Sequence, residues 1–214
     1  MKYHVRSVAF AIAAVAVPVA ASAAPAAHIR GTIASVSASS LTVTTSSGST
    51  VVALSPKTRV VGALPATIAD VKTGTFIGTA NVPNGAAARA LEVVVFPAAM
   101  KGAGEGDYPW DLPSGGGAHS AMTNGTVAEH KGSSMTNATV TSMSSNGVRV
   151  VDVAYKGGTK RIAIPPNAPI VRLAPGAPAL LAHGAHVFVV AVPSGGKLGA
   201  AVVIVGEHGT VPPM

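Results

Sequence analysis

His183 and His186 stand three residues apart, a spacing at which two imidazoles on one helical turn reach a single ion. Glu105, Asp107 and Asp111 fall within seven residues of a glycine-rich stretch, three of the chain's eight acids. Carboxylate oxygens on such a loop are what a hard cation such as calcium takes as ligands. Tyr108 and Trp110, the latter the only tryptophan, alternate with these acids. At i and i+2 they share one face of an extended strap, where they either stack a sugar ring or plug a structural seam. Two candidate sites follow: Tyr108, Trp110 and Asp111 for an organic ligand, and His183, His186, Glu105 and Asp107 for a divalent metal, with His119, His130 and His208 as further histidines to complete it.

The same residues argue against strong metal chemistry. The acidic stretch does not have the spacing of an EF-hand loop and lacks its twelfth-position Glu. His186 opens a strand, so the pair can point apart. Met100, Met122, Met135, Met143 and Met214 form none of the close clusters that thioether sites for Cu(I) need. No resident cofactor is therefore expected, and a divalent ion is the one candidate. Catalytic signatures are missing too: there is no G-x-S-x-G elbow, H-E-x-x-H, P-loop or dinucleotide fingerprint. Asp70, Glu92, Glu129, Asp152 and Glu207 are scattered, and the expectation is a protein that is not an enzyme. Nucleic acid is not an expected partner, because the strands carry only Phe76, Phe96, Tyr155 and Phe188 and no basic groove.

These residues follow an export signal. Lys2 and Arg6 precede an apolar run from Val8 to Ala20 that ends in Ala21-Ser22-Ala23, a small-x-small cleavage site, so residues 1–23 read as a signal peptide cut after Ala23. The run is shorter than the roughly 20 residues that span a bilayer. No later window is apolar enough to cross one, and localisation in the periplasm or outside the cell is expected. The net charge of +7 falls to +5 once Lys2 and Arg6 leave, with only 11% of residues charged. Cysteine is absent, so an exported chain of this kind is held by packing rather than by disulfides.

What must position the candidate sites is a duplicated β unit. Gly31-Thr32-Ile33-Ala34-Ser35-Val36-Ser37 recurs as Ala138-Thr139-Val140-Thr141-Ser142-Met143-Ser144, each followed by an alternating strand. Alternation buries Ile33, Val36, Leu41, Val43, Val52 and Leu54 in the first copy and Val148, Val150, Ile162 and Ile164 in the second. Turns are expected at Ser46 to Ser49, at Asn146-Gly147 and at Lys156 to Thr159. One-turn helical segments at Thr67 to Lys72 and Ala179 to His183 end at Gly74 and Gly184. Each copy closes with two more strands, and such sets of short antiparallel strands curl into small barrels. The expected fold is all-β: unit 1 over residues 24–99, a Gly/Pro-rich acidic and aromatic linker over 100–121, and unit 2 over 122–214, as two tandem antiparallel barrels.

The G-T-[IV] opening, the Ala69 to Gly74 turn and the final Ala90 to Val95 strand resemble the bacterial domain-of-unknown-function family 5666, exported proteins whose domains look like OB-like β-barrels. The Gly102 to Asp111 linker, the M-T-N-[GA]-T-V strings and the closing V-P-P-M resemble a group of proteobacterial periplasmic proteins that often carry the label metal transporter permease. A permease needs membrane-spanning helices, which this chain lacks after its signal. The expectation is a non-enzymatic periplasmic binding or envelope-associated structural module, with a metal-binding accessory as the alternative and carbohydrate or envelope-polymer binding as the third reading. Its expected partners are an envelope polymer or protein, and exposed strand edges leave both monomer and homodimer open.

Overall fold

The computed structural model describes residues 26–112, 134–145 and 148–213. The expected signal peptide, the expected turn at Asn146-Gly147, His119, His130, Met122 and Met214 lie outside them. The strands are β1 (Ala27–Val36), β2 (Ser40–Thr45), β3 (Gly48–Ala53), β4 (Arg59–Pro65), β5 (Phe76–Val82), β6 (Ala88–Ala90), β7 (Val93–Val95), β8 (Gly106–Pro109), β9 (Ser134–Ser145), β10 (Arg149–Tyr155), β11 (Gly158–Ile164), β12 (Ile170–Pro175), β13 (His186–Ser194) and β14 (Lys197–Gly206). One-turn 3-10 helices at Ile68–Asp70, Ala98–Met100 and Pro178–Leu180 complete the described residues, none of whose helices is long and apolar enough to cross a membrane. Gly74 and Gly184 end the first and last helical segments with φ of 85° and 82°, which only glycine adopts freely.

Strand pairing makes two closed rings. β1 pairs with β2, β2 with β3, β3 with β14, β14 with β13, and β13 returns to β1. The second ring runs β9, β10, β11, β6, β5 and back to β9. The expected tandem arrangement, with each barrel closed inside its own unit, is not what forms. Each ring takes three opening strands from one unit and two closing strands from the other. Within the first unit the hairpins pair as their alternation requires, but in the second the phase on β10 is the opposite of that expected: Val151 and Val153 are fully buried, whereas Val148 is 41% exposed and Val150 only partly buried. Alternation cannot choose whose closing strands complete a ring, because both copies present the same apolar face.

The exchange is organised about an approximate two-fold axis. β4 and β12 run antiparallel between the rings, with Ala63 opposite Leu173, Val61 opposite Pro175 and Pro65 opposite Val171. From β2 and β10 onward the copies are offset by 110 positions, so Ala63 faces its own repeat equivalent and the other pairs exchange symmetrically. Both copies carry a bulge in the opening strand, between Ile33 and Ser35 and opposite Asp152 and Val153. The bulge keeps Ile33 and Val36 on the inner face, as the alternation predicts. Val36 is nevertheless 40% exposed, because it lies at the open end of its ring.

Three cores result. Ile33, Leu41, Val43, Val52, Val189 and Val203 fill the first ring, and Ile77, Val93, Val140, Val151, Val153 and Ile162 fill the second. A third core lies between the rings, where Val61, Ala63, Met135, Leu173, Phe188 and Ile204 meet. The scarcity of aromatics is met by this aliphatic packing, and each buried Val, Leu or Ile contributes on the order of 1.5–3 kcal/mol.

Candidate functional site

Residues 101–112 are not a free linker. β8 pairs antiparallel with β9, Gly106 opposite Asn137 and Tyr108 opposite Met135. On the second ring, Asn137 Nδ2 donates to the Gly104 carbonyl (3.0 Å) and to the Tyr108 hydroxyl oxygen (3.0 Å). Asp107 accepts from Thr136 Oγ1 (2.7 Å) and from Lys160 Nζ (3.0 Å), and Lys160 also donates to Ser134 Oγ. Glu105 accepts from the Lys156 backbone N–H (3.1 Å). Burial pushes the Tyr108 phenol above its ordinary pKa.

The strap then crosses to the first ring. Asp111 receives both guanidinium nitrogens of Arg30, at 2.6 and 3.1 Å, and its Oδ2 lies 3.3 Å from His28 Nδ1. Burial works against ionisation of Asp111, but the hydrogen bonds and charge of Arg30, with His28, outweigh it and hold the carboxyl below its ordinary range. Trp110 lies against His28, ring centroids 4.3 Å apart, and joins the core between the rings. Arg30 sits over Phe188 at 5.1 Å from its ring centre. In the opening strands the copies are offset by 107 positions, so Arg30 and Asn137 are repeat equivalents, as are His28 and Met135. The strap therefore grips the same two positions on each ring, once through Tyr108 and Gly104 and once through Trp110 and Asp111.

These placements decide what each predicted residue touches. Tyr108 and Trp110 do share a face of the extended strap, but their rings meet edge to face at 6.1 Å rather than lying flat side by side. Glu105, Asp107 and Asp111 are engaged by Lys156, Lys160 and Arg30. His183 is exposed, while His186 is half-buried with Nδ1 3.3 Å from Thr32 Oγ1. Among the described residues no group of three or more His, Asp or Glu side chains comes close enough to hold an ion. Asn137, in an Asn-x-Thr sequence, is buried and hydrogen-bonded.

Two open clefts of matching composition lie elsewhere, beside a more polar one of about 550 Å³ between Ser39, Val51 and Lys197, and sequence reasoning missed them. The first, about 520 Å³, lies between the β1–β2 turn, the ends of β3 and β4, and the Pro178–Leu180 helix. Leu54, Pro56, Val60 and Pro178 line it, with Ser39 and Thr58. The second, about 460 Å³, has Ile164, Pro166, Ile170 and Ile68, with Arg149 and Ala168. Every residue in this second set sits 110 positions from its counterpart in the first. Each cleft is composite, made of the opening strands of one unit and the 3-10 helix of the other. Val36 and its repeat equivalent Met143, 40% and 37% exposed, stand at the corresponding ring ends. The Ser55-Pro56 and Pro165-Pro166 segments were the available signal, equivalent proline turns that leave a ring end uncovered.

No protein-family model, no curated protein and no solved structure matches the chain.

Proposed function

We propose that this chain is a non-enzymatic binding module of the bacterial envelope, exported to the periplasm and built from two OB-like rings of the kind its resemblance to family 5666 implies. The supporting observation is the contrast between its two sets of polar and apolar groups. The acids and aromatics of the strap are engaged in holding the rings together, whereas two equivalent apolar clefts stay open at the ring ends. Pockets of this size, mostly apolar with few polar groups, are the usual form of a binding site. The metal-accessory reading finds no cluster of ligands among the described residues to support it. In the carbohydrate reading Trp110 would be the platform, yet His28 already lies against it.

The test is retention of the mature chain, residues 24–214, on isolated envelope fractions, compared with a Val36→Glu/Met143→Glu variant. Both residues are exposed, so the variant should keep the wild-type circular dichroism spectrum. Retention that falls at least tenfold in the variant supports the reading. Equal retention, or none by either protein, overturns it.

A further inference from the structure

The two clefts differ in charge at one pair of equivalent positions. Arg149 stands at the second, and Ser39 occupies its place in the first. The Arg149 guanidinium makes a long contact to Met143 Sδ (3.9 Å), and no carboxylate among the described residues is paired with it. The neighbouring acid, Asp70, is turned to the N–H and hydroxyl of Thr67 and has Arg172 and Lys72 as its electrostatic neighbours. The second cleft thus presents an aliphatic floor of Ile68, Ile164 and Ile170 with one unneutralised cation at its mouth.

We infer that the second cleft binds a single-chain anionic amphiphile, a free fatty acid, with its alkyl tail on the isoleucines and its carboxylate on Arg149. This rests on the binding-module reading and names the ligand class for one of its clefts. Charge complementarity selects the anion, since a guanidinium receives a carboxylate through two parallel hydrogen bonds. The wall selects an alkyl chain over a peptide. Pro165 and Pro166 have no N–H to offer a peptide carbonyl, whereas an alkyl chain asks for none. The first cleft is the internal control, with the same apolar frame and a serine in place of the cation.

The experiment is calorimetric titration of laurate into the mature chain, beside dodecanol and dodecyltrimethylammonium, which carry the same tail without the anion. One laurate site is expected. Arg149→Ser should weaken it about tenfold or more, as loss of a charge-assisted pair does, and Arg149→Lys should retain part of the affinity. Ser39→Arg should create a second laurate site in the first cleft. Laurate affinity unchanged in Arg149→Ser, equal binding of the three amphiphiles, or no laurate binding would each overturn the inference. So would tighter binding of a peptide with a free C-terminal leucine, or adsorption to anionic vesicles that does not depend on Arg149. Retention on envelope fractions without laurate binding would overturn this inference alone and leave the binding-module reading standing.

Discussion

The two rings share a plan but not an interior. Among the described residues of the first ring, the fully buried side chains are aliphatic or aromatic. The second ring buries Thr79, Asn81, Thr136 and Asn137 as well. The equivalents in the first ring are Val189, Ala191, Ile29 and Arg30. The difference coincides with β8, which lies on β9 and supplies Asp107 to Thr136 and, with Gly104 before it, Tyr108 to Asn137, while Asn81 bonds to Thr136 and Ser134 of β9 and Thr79 to the Ala80 carbonyl. The second ring is the docking plate for a strap that then fastens to the first. Each of these four residues makes at least one hydrogen bond, although Asn137 Oδ1 makes none, and an unpaired buried polar group costs about 1–3 kcal/mol.

The most drastic way to break the comparison is to separate the units. Residues 24–112 and 122–214 expressed apart each hold three strands of one ring and two of the other, so neither should be a folded monomer. Mixed, they should form a one-to-one complex of the full chain's mass in light scattering. A folded monomeric half would show that a unit closes its own ring after all.

Next in size is Ala191→Asn, which puts the second ring's Asn81 into the first. Ala191 is fully buried, and no Thr136 hydroxyl waits for the amide. The loss should be several kcal/mol, with roughly 2–4 expected from an overpacked and unpaired polar group. Denaturant titration would measure it, and a change under about 1 kcal/mol would mean that the interiors are interchangeable. Trp110→Ala should cost about 3 kcal/mol, the low end for a large aromatic because the ring is only partly buried. The same substitution at Tyr108, which is more exposed, should cost less than half as much. Equal losses would show the strap anchored evenly rather than through the core between the rings.

Much of this comparison was legible in the residues and some was not. The hairpins, the first unit's alternation, the equivalent glycines Gly74 and Gly184 and the shared face of Tyr108 and Trp110 depend on local backbone preferences, which act within a few residues. In the second unit the continuous Val148-Arg149-Val150-Val151-Asp152-Val153 run offers two phases, and Val151 and Val153 rather than Val148 and Val150 point inward. Which closing strands complete which ring depends on pairing between copies whose apolar faces are alike, and nothing local distinguishes Phe76–Val82 from His186–Ser194 for that purpose. The strap's partners were hidden for the same reason. Asp111 meets Arg30, 81 positions away, and Asp107 meets Lys160, 53 positions away. The clefts were illegible because each is lined from both units. Their local traces are the equivalent Ser55-Pro56 and Pro165-Pro166 turns and Val36, which faces inward as alternation predicts yet is 40% exposed, since alternation specifies a face but not distance from a ring's open end.

The smallest effect, and the most selective for the strap's second foothold, is the acid response of Asp111. Its carboxyl is held below its ordinary range in the folded chain, so the unfolded state binds its proton at higher pH than the folded state does. The stabilisation is therefore fully present above the unfolded value of about 3.9 and is lost as pH falls through the folded value. Asp111 is half-exposed and screened by solvent, so the slope it adds should be shallow. Asp111→Asn should flatten the decline in stability below about pH 4 while leaving part of the contact with Arg30 in place. Asp152 and Asp70 are also held low, Asp152 chiefly by its hydrogen bond from Arg161 and Asp70 by the Thr67 N–H, so some decline should persist in the variant. Trp110 fluorescence, followed beside the overall unfolding signal, separates the two contributions. In the wild type it should change at higher pH than the global transition, because the strap's hold on His28 and Arg30 loosens before either ring opens. Coincident transitions in wild type and variant would instead make the strap an inseparable part of one cooperative unit.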